Sequence, residues 1–369
     1  MRSLNRPVMT GESSSSLDAE VPDSAVRGMV HAIEPEWTVE SIERSPYGTD
    51  FVATVEVHAP DGSRTVVLKA TTADLVDPQI ARSEPRLLRL VGEQTSIPVP
   101  TVFGYRDDHD EYPAPFYLME HVEGENFEGR PDELSPSARE AILRQAGHHL
   151  AELHELGPRA AVGRVGVDDG DLAVLDTDEF PQYDDFRDRV LTNQLETVET
   201  LTSGGHFPEY ADDPERFADL VPDLREYLRE TIPDLPDPDP PTYCHWDYRY
   251  GNLLVEPETG DIRAVLDWAN LTAADPAYNL AKAEAHLLTP AADGEERTER
   301  LRQIFRTAYA ETREDWSFDD AIRERIREYR LTCQVDAMSC LPLWYEDATP
   351  EEKDRREAEH REFVERYLE

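Results

Sequence analysis

Residues 243–268, YCHWDYRYGNLLVEPETGDIRAVLDW, constrain this chain more than any other stretch. Two runs of β type, LLVE and DIRAVLDW, flank PETG, so the segment reads as an antiparallel hairpin centred between Thr259 and Gly260. That register predicts Asn252 opposite Asp267 at the open end. Asp247 stands a few residues upstream in the spacing His245-x-Asp247-x4-Asn252. Singly, Asp247 and Asn252 could cap turns and Asp267 could end a strand, but those readings do not explain why all three converge. Two oxygen ligands at one hairpin end form the set that Mg²⁺ takes together with phosphate oxygens and water.

A second element lies far upstream. From Trp37 to Thr72 the chain alternates as strands do, with Asp61-Gly62 as a hairpin signal, and the second arm ends in Val66-Val67-Leu68-Lys69. Only three of the 37 basic residues are lysines, Lys69, Lys282 and Lys353, so a lysine at that strand end carries weight. A helix that carries Glu84 is expected over about Pro78 to Gly92, and TVFGY and PFYLMEHV read as two further strands. The expectation is an α+β chain: a small antiparallel sheet with one helix over residues 25–122, preceded by a flexible tail at 1–24.

After Val122 the pattern turns helical, and residues 123–369 are expected to form a larger, mainly helical lobe. Apolar residues recur at helical spacing from a Ser135 cap to Leu156. Residues 163–185 and 203–241 are rich in Asp, Pro and Gly and read as loops around a helical insertion. The Glu- and Arg-dense tail from Glu295 onward reads as exposed helices packed by a thin apolar stripe. Substrate-choosing residues are expected within about 163–235 and on the C-terminal helices.

The formal net charge is −42, which repels nucleic acid and anionic membrane surfaces and disfavours both as partners. Near 1 M salt the Debye length falls to about 3 Å and the self-repulsion is screened, so the charge reads as adaptation to a saline cytoplasm. Three cysteines without CxxC spacing fit a reducing interior, and neither a membrane span nor an apolar signal segment is legible. His148, His149 and His154 with Glu152 lack the spacing that stacks two ligands on one helix face, so His154 is expected to be structural. Trp344 and Tyr345 are expected to pack between helices.

His245-x-Asp247-x4-Asn252 shares its spacing with the protein-kinase catalytic loop, and VVLK resembles the strand that carries the kinase lysine. With SEPRLLRLV, IPVPTVFGY, PFYLMEHVEGENF, LAELH, HWDYRYGNLLV and VLDWANLTAADPAYNLA, the chain from about Val26 to Leu288 resembles the aminoglycoside phosphotransferase and choline kinase-like family. The resemblance implies a bilobed protein-kinase-like fold and ATP-dependent, Mg²⁺-assisted phosphoryl transfer to a hydroxyl of a small molecule. It implies Asp247 as catalytic base, Asn252 and Asp267 as metal ligands, and Lys69, steadied by Glu84, on the ATP phosphates. The link Met119-Glu120-His121-Val122 would be the hinge, with adenine on the backbone of Glu120 and Val122. The chain departs from the family in two places: the turn Ser45-Pro46-Tyr47-Gly48-Thr49 holds one glycine, and the usual DPxxDL stands as Asp275-Pro276-Ala277-Tyr278-Asn279-Leu280. The absence of GxGxxG, DFG and APE disfavours protein kinases proper. The alternative is a catalytically idle, nucleotide-binding regulatory protein of the same fold.

Overall fold

Alternation in FVATVEVHA and GSRTVVLKA puts Phe51, Ala53, Val55, Val57, Val66, Leu68 and Ala70 on one buried face. Those residues form strands β2 (Phe51–Ala59) and β3 (Gly62–Ala70), joined by the expected hairpin, with Ala59 paired to Gly62. In the computed structural model, which describes residues 21–45, 50–72, 77–288 and 294–368, β1 (Thr38–Arg44), β4 (Val102–Arg106) and β5 (Phe116–Glu120) complete a five-stranded antiparallel sheet. Its order is β1-β2-β3-β5-β4.

Helix α1 (Asp23–Ile33) covers the apolar face through Val26, Met29 and Val30, and Val21 just before it is fully buried. This is a second helix beside the one expected for residues 25–122, and its apolar residues Val26, Met29, Val30 and Ile33 do stand at helical spacing. The opposite face carries Lys69, paired in register with Tyr117, and it meets α2 (Ser83–Gln94) through Leu87, Leu88 and Val91. A single helical turn at Pro78–Ala81, capped by Asp77 through the Gln79 N–H, leads into α2.

The C-terminal part is built around α3 (Pro136–His154), which the Ser135 hydroxyl caps through the Ala138 N–H at 3.1 Å. It also holds α4 (Phe186–Thr200), α5 (Val221–Thr231), α6 (Pro276–Leu287), α7 (Glu295–Thr312), α8 (Asp320–Trp344) and α9 (Pro350–Leu368). One apolar core runs through these helices and reaches α2. The mixed fold, with an antiparallel sheet first and a helical part after it, is the one the sequence predicts.

Helix α5 lies inside the stretch 203–241 that read as loop, and three further local expectations change. Residues 163–174 are not loop: β6 (Gly163–Asp168) and β7 (Asp171–Val174) form a hairpin, with Asp169 and Gly170 both at positive φ, 48° and 89°. Two positive-φ residues suit the right-handed twist of a tight hairpin, so Asp169-Gly170 was a turn signal hidden in an Asp-rich stretch. Helix α8 is more deeply buried than expected, with no exposed surface on Tyr329, Leu331, Thr332, Val335 and Ser339, while Asp320, Arg323, Glu324 and Arg327 at its start stay exposed. Its polar letters hide this, because several of its charged side chains are paired in the interior.

The third change concerns the central hairpin, β9 (Leu253–Val255) against β10 (Ile262–Val265). A bulge between Ile262 and Ala264 shifts the register, pairing Val265 with Leu253, and the Leu266 N–H donates to the Asn252 carbonyl at 2.8 Å. Asn252 therefore faces Leu266 rather than Asp267, which lies one residue beyond the ladder.

Candidate functional site

Strand β8 (Thr242–Cys244) delivers the chain into His245, which is 1% exposed and fixed on both sides. Its Nε2 meets the Leu266 carbonyl at 3.0 Å, and its own carbonyl accepts from Asn279 Nδ2 at 2.8 Å. Asn279 Oδ1 lies 3.0 Å from His154 Nε2, whose Nδ1 lies 2.8 Å from the Tyr309 hydroxyl. His154 is thus a structural anchor, held neutral by burial with its pKa lowered to about 3. The Asn279 departure has a physical content, because its amide donates to a carbonyl that an ionised Asp could not serve.

Asp247 follows at the mouth of a cleft. Asn252 Nδ2 donates at 2.8 Å both to the Asp247 carbonyl and to its Oδ2, and Arg249 Nε donates to Oδ1 at 2.8 Å. Burial works to raise the Asp247 pKa, but Arg249, His286 and His245 carry it down to about 2, so it is ionised at any ordinary pH. Arg249 also pairs with Glu128 at 2.8 Å.

Lys69 approaches from the sheet. Its Nζ pairs with Glu84 Oε2 at 2.7 Å and lies 3.9 Å from Asp50 Oδ2. Burial opposes its charge, but Glu84, Asp267 and Asp50 outweigh that and raise its pKa. The other Glu84 oxygen accepts from the Trp268 N–H at 3.1 Å, tying α2 to the residue after Asp267. Asp267 adopts left-handed backbone, φ 64° and ψ 62°, a conformation that Asp tolerates better than most residues. Its carboxyl is pushed up by burial, held back by Lys69, and pushed up again by Glu84 and Asp247.

Asp50, Glu84 and Asp267 therefore surround a single ammonium, and Asp247 adds further negative charge from the loop side. Asp50 Oδ1 is buried without a hydrogen-bond partner among the described residues. Hard carboxylate and amide oxygens carrying excess negative charge fit Mg²⁺, which dehydrates reluctantly and is completed by phosphate and water. A self-sufficient protein cage is absent among the described residues, where no group of three or more His, Cys, Asp or Glu is placed to hold a metal.

Of the expected hinge, β5 ends at Glu120 and Val122 follows it. The Glu120 carboxylate accepts from the Thr101 N–H at 3.2 Å and its N–H donates to the Thr101 carbonyl at 2.8 Å, so its side chain is committed to the sheet edge. The turn expected over the phosphates lies, beyond Ser45, outside the described residues.

Sequence reasoning missed Asp50, Glu128 and Arg249, whose only signal was position next to a motif. It also could not rank the residues of the cleft that opens beside Asp247, with a volume of about 920 Å³. Arg164 of β6, Arg189 of α4, Trp246, Lys282 of α6, and Asp336 and Trp344 of α8 all line it. Trp344 faces this space rather than only neighbouring helices.

The model of the phosphotransferase enzyme family matches residues 45–317. Among solved structures, an aminoglycoside phosphotransferase in complex with GDP and kanamycin is 14% identical, with a TM-score of 0.55 over 92% of this chain and 98% of that one. A microcompartment-associated aminopropanol kinase is 16% identical, with a TM-score of 0.52 over 92% of this chain and 97% of its own. At such identities the likeness is one of fold. Among curated proteins, acyl-CoA dehydrogenase family member 10 of Mus musculus is 28% identical over 189 residues, 50% of this chain but 15% of that protein. A probable acyl-CoA dehydrogenase of Arabidopsis thaliana is 26% identical over 187 residues, 20% of its length. The chain thus spans only a small share of those relatives, and their names describe the whole proteins.

Proposed function

The chain belongs to the phosphotransferase enzyme family, and from that membership and the geometry around Lys69 and Asp247 we propose that it transfers the γ-phosphoryl group of ATP to a hydroxyl of a small molecule. The observation that carries this reading is the joining of two distant motifs: Lys69 and Glu84 from the sheet side, and Asp247, Asn252 and Asp267 from the loop side, with Glu84 bonded to both Lys69 and the Trp268 N–H. Lys69, kept charged by its carboxylate neighbours, holds the donor phosphates in line. Asp247, ionised and held by Arg249 and Asn252, orients the acceptor hydroxyl and takes its proton as the acceptor oxygen bonds to the γ-phosphorus and the bond from that phosphorus to the leaving ADP breaks. Asn252 and Asp267 would hold Mg²⁺, which would supply positive charge against the charge of the donor phosphates. The main chain of Glu120 and Val122 is assigned to the adenine ring.

The reading is tested by thermal shift with ATP, with and without Mg²⁺, on the wild type and Asp267→Ala. Stabilisation that needs both metal and Asp267 is expected, and none in folded wild-type protein would contradict the site. In addition, Asp247→Ala should lower kcat by about 10² to 10⁴, the range for a lost general base, with ATP binding kept. Unchanged turnover in that variant would remove Asp247 from the chemistry and revive the idle-fold alternative.

A further inference from the structure

Two solved structures of this fold are named for amino compounds, kanamycin and aminopropanol, yet the cleft beside Asp247 presents cations. Trp246, adjacent to Asp247 in the chain, has Arg189, Lys282 and Arg164 over its ring at 5.0, 5.1 and 5.6 Å from the centroid. An aromatic ring binds a cationic ligand through its face. Here that ring is already occupied by the protein's own cations. In a chain with a formal charge of −42, three basic side chains gathered at one ring run against the composition.

Neighbouring acids do not cancel them all. Lys282 is answered by Asp336 at 3.4 Å, and Asp336 is also held by Gln194 Nε2 at 2.9 Å. Asp247 is engaged by Arg249 at 2.8 Å. Glu196 also lines the cleft, but on the exposed surface of α4. Arg189 is different: it is 8% exposed, it forms no ion pair among the described residues, and its Nη1 is buried without a hydrogen-bond partner. Burial lowers its pKa, and burial together with Arg189 brings Arg164 down to about 10. A guanidinium so placed lacks the oxygen partner that makes its burial tolerable.

We propose that this cleft binds an acceptor carrying an oxyanion group, a carboxylate or a phosphate monoester, with Arg189 and the adjoining Arg164 on the anion and the hydroxyl to be phosphorylated turned toward Asp247. This rests on the phosphotransferase reading and deepens it by naming the acceptor class. The planar fork of Arg189 supplies paired donors that match either oxyanion. Lys282, partly spent on Asp336, adds to the positive field of the same cleft.

The test compares fixed probes at one salt concentration in which the protein is folded: glycerate, 3-hydroxybutyrate and gluconate as carboxylates, glycerol 3-phosphate as the phosphate monoester, and choline and kanamycin as cations. Calorimetric binding is measured beside ADP release. At least one anionic probe is expected to bind and to be phosphorylated, and the arm that responds identifies the oxyanion. Arg189→Gln should raise the KM for that probe about tenfold or more, the order of one lost charge-assisted hydrogen bond, with a much smaller change in kcat, while Arg189→Lys recovers part of the loss. Binding and turnover of the cations without the anions overturns the inference and leaves the kinase reading standing. Absence of binding by every anionic probe at millimolar concentration overturns it as well. Anion binding lost in Arg189→Gln, in protein that fails to bind Mg-ATP, would keep the oxyanion site and sink the kinase reading.

Discussion

Glu84 meets Lys69 at 2.7 Å with one carboxylate oxygen and takes the Trp268 N–H at 3.1 Å with the other. One buried side chain thus fixes both the lysine of β3 and the backbone that follows Asp267. Glu84→Gln keeps the shape and can still accept from Trp268, but it removes the charge that holds Lys69. The variant is expected to fold and to lose about tenfold to a hundredfold in kcat/KM for ATP, the scale of one charge-assisted bond. Steady-state kinetics against ATP checks this, and an unchanged value would detach Glu84 from the phosphate site.

Asp275 makes stability depend on pH in an unusual direction. It caps α6 through the Ala277 N–H at 3.0 Å, meets Arg325 at 3.0 Å and accepts from the Tyr329 hydroxyl at 3.1 Å, and all four residues are buried. Burial outweighs Arg325 and raises its pKa from 3.8 to about 6. The folded state therefore binds more protons than the unfolded state between those values, and this residue's contribution to stability falls as pH rises through about 6. Relative to Asp275→Asn, the wild type should gain about 1 kcal/mol between pH 7.5 and pH 5 in guanidinium unfolding. Parallel pH curves for the two proteins would contradict this.

Gly147 lets α3 and α7 touch at the backbone. A Cβ there would lie 2.4 Å from the Phe305 carbonyl oxygen and 2.9 Å from the Ala308 Cβ, with neither able to swing aside. Gly147→Ala should destabilise by about 1–3 kcal/mol through forced separation of the two helices, despite the better helix propensity of alanine. Chemical denaturation of the variant measures it, and a stabilised variant would show that α7 gives way freely.

The charge of −42 makes salt a fold variable. Raising KCl from about 0.1 M to 1 M shortens the Debye length from about 10 Å to 3 Å and should raise Tm despite the loss of surface ion pairs. Differential scanning calorimetry across that range decides, and a falling Tm would argue against a saline setting.

Much of this was legible because it is local. Lys69 and the Asp61-Gly62 hairpin follow from alternation, and α3 follows from its Ser135 cap. Asp247 and Asn252 stand five residues apart, so their contact needs little of the fold. What escaped depends on long-range pairing or on a single inserted residue. The hairpin closes on Val255 and Ile262, two positions short of the register centred on PETG, and the bulge before Ala264 recovers only one of them, which leaves Asp267 past the ladder. Strand β6 pairs with a strand about a hundred residues later, and Arg189 is one arginine among many until the fold buries it without an acid.

The small sheet β7-β6-β11-β8, with β11 formed by Thr272–Ala274, carries a consequence for discrimination among acceptors. Thr272 pairs on one side with Cys244, which precedes the Asp247 loop, and on the other with Arg164. Two strand spacings, roughly 10 Å, therefore separate the backbone bearing the anion-side arginine from the backbone leading to the base. That interval is set by main-chain hydrogen bonds rather than by adaptable side chains, so the pocket measures length. Acceptors of one chemical class should be sorted by how far their hydroxyl stands from their charged end.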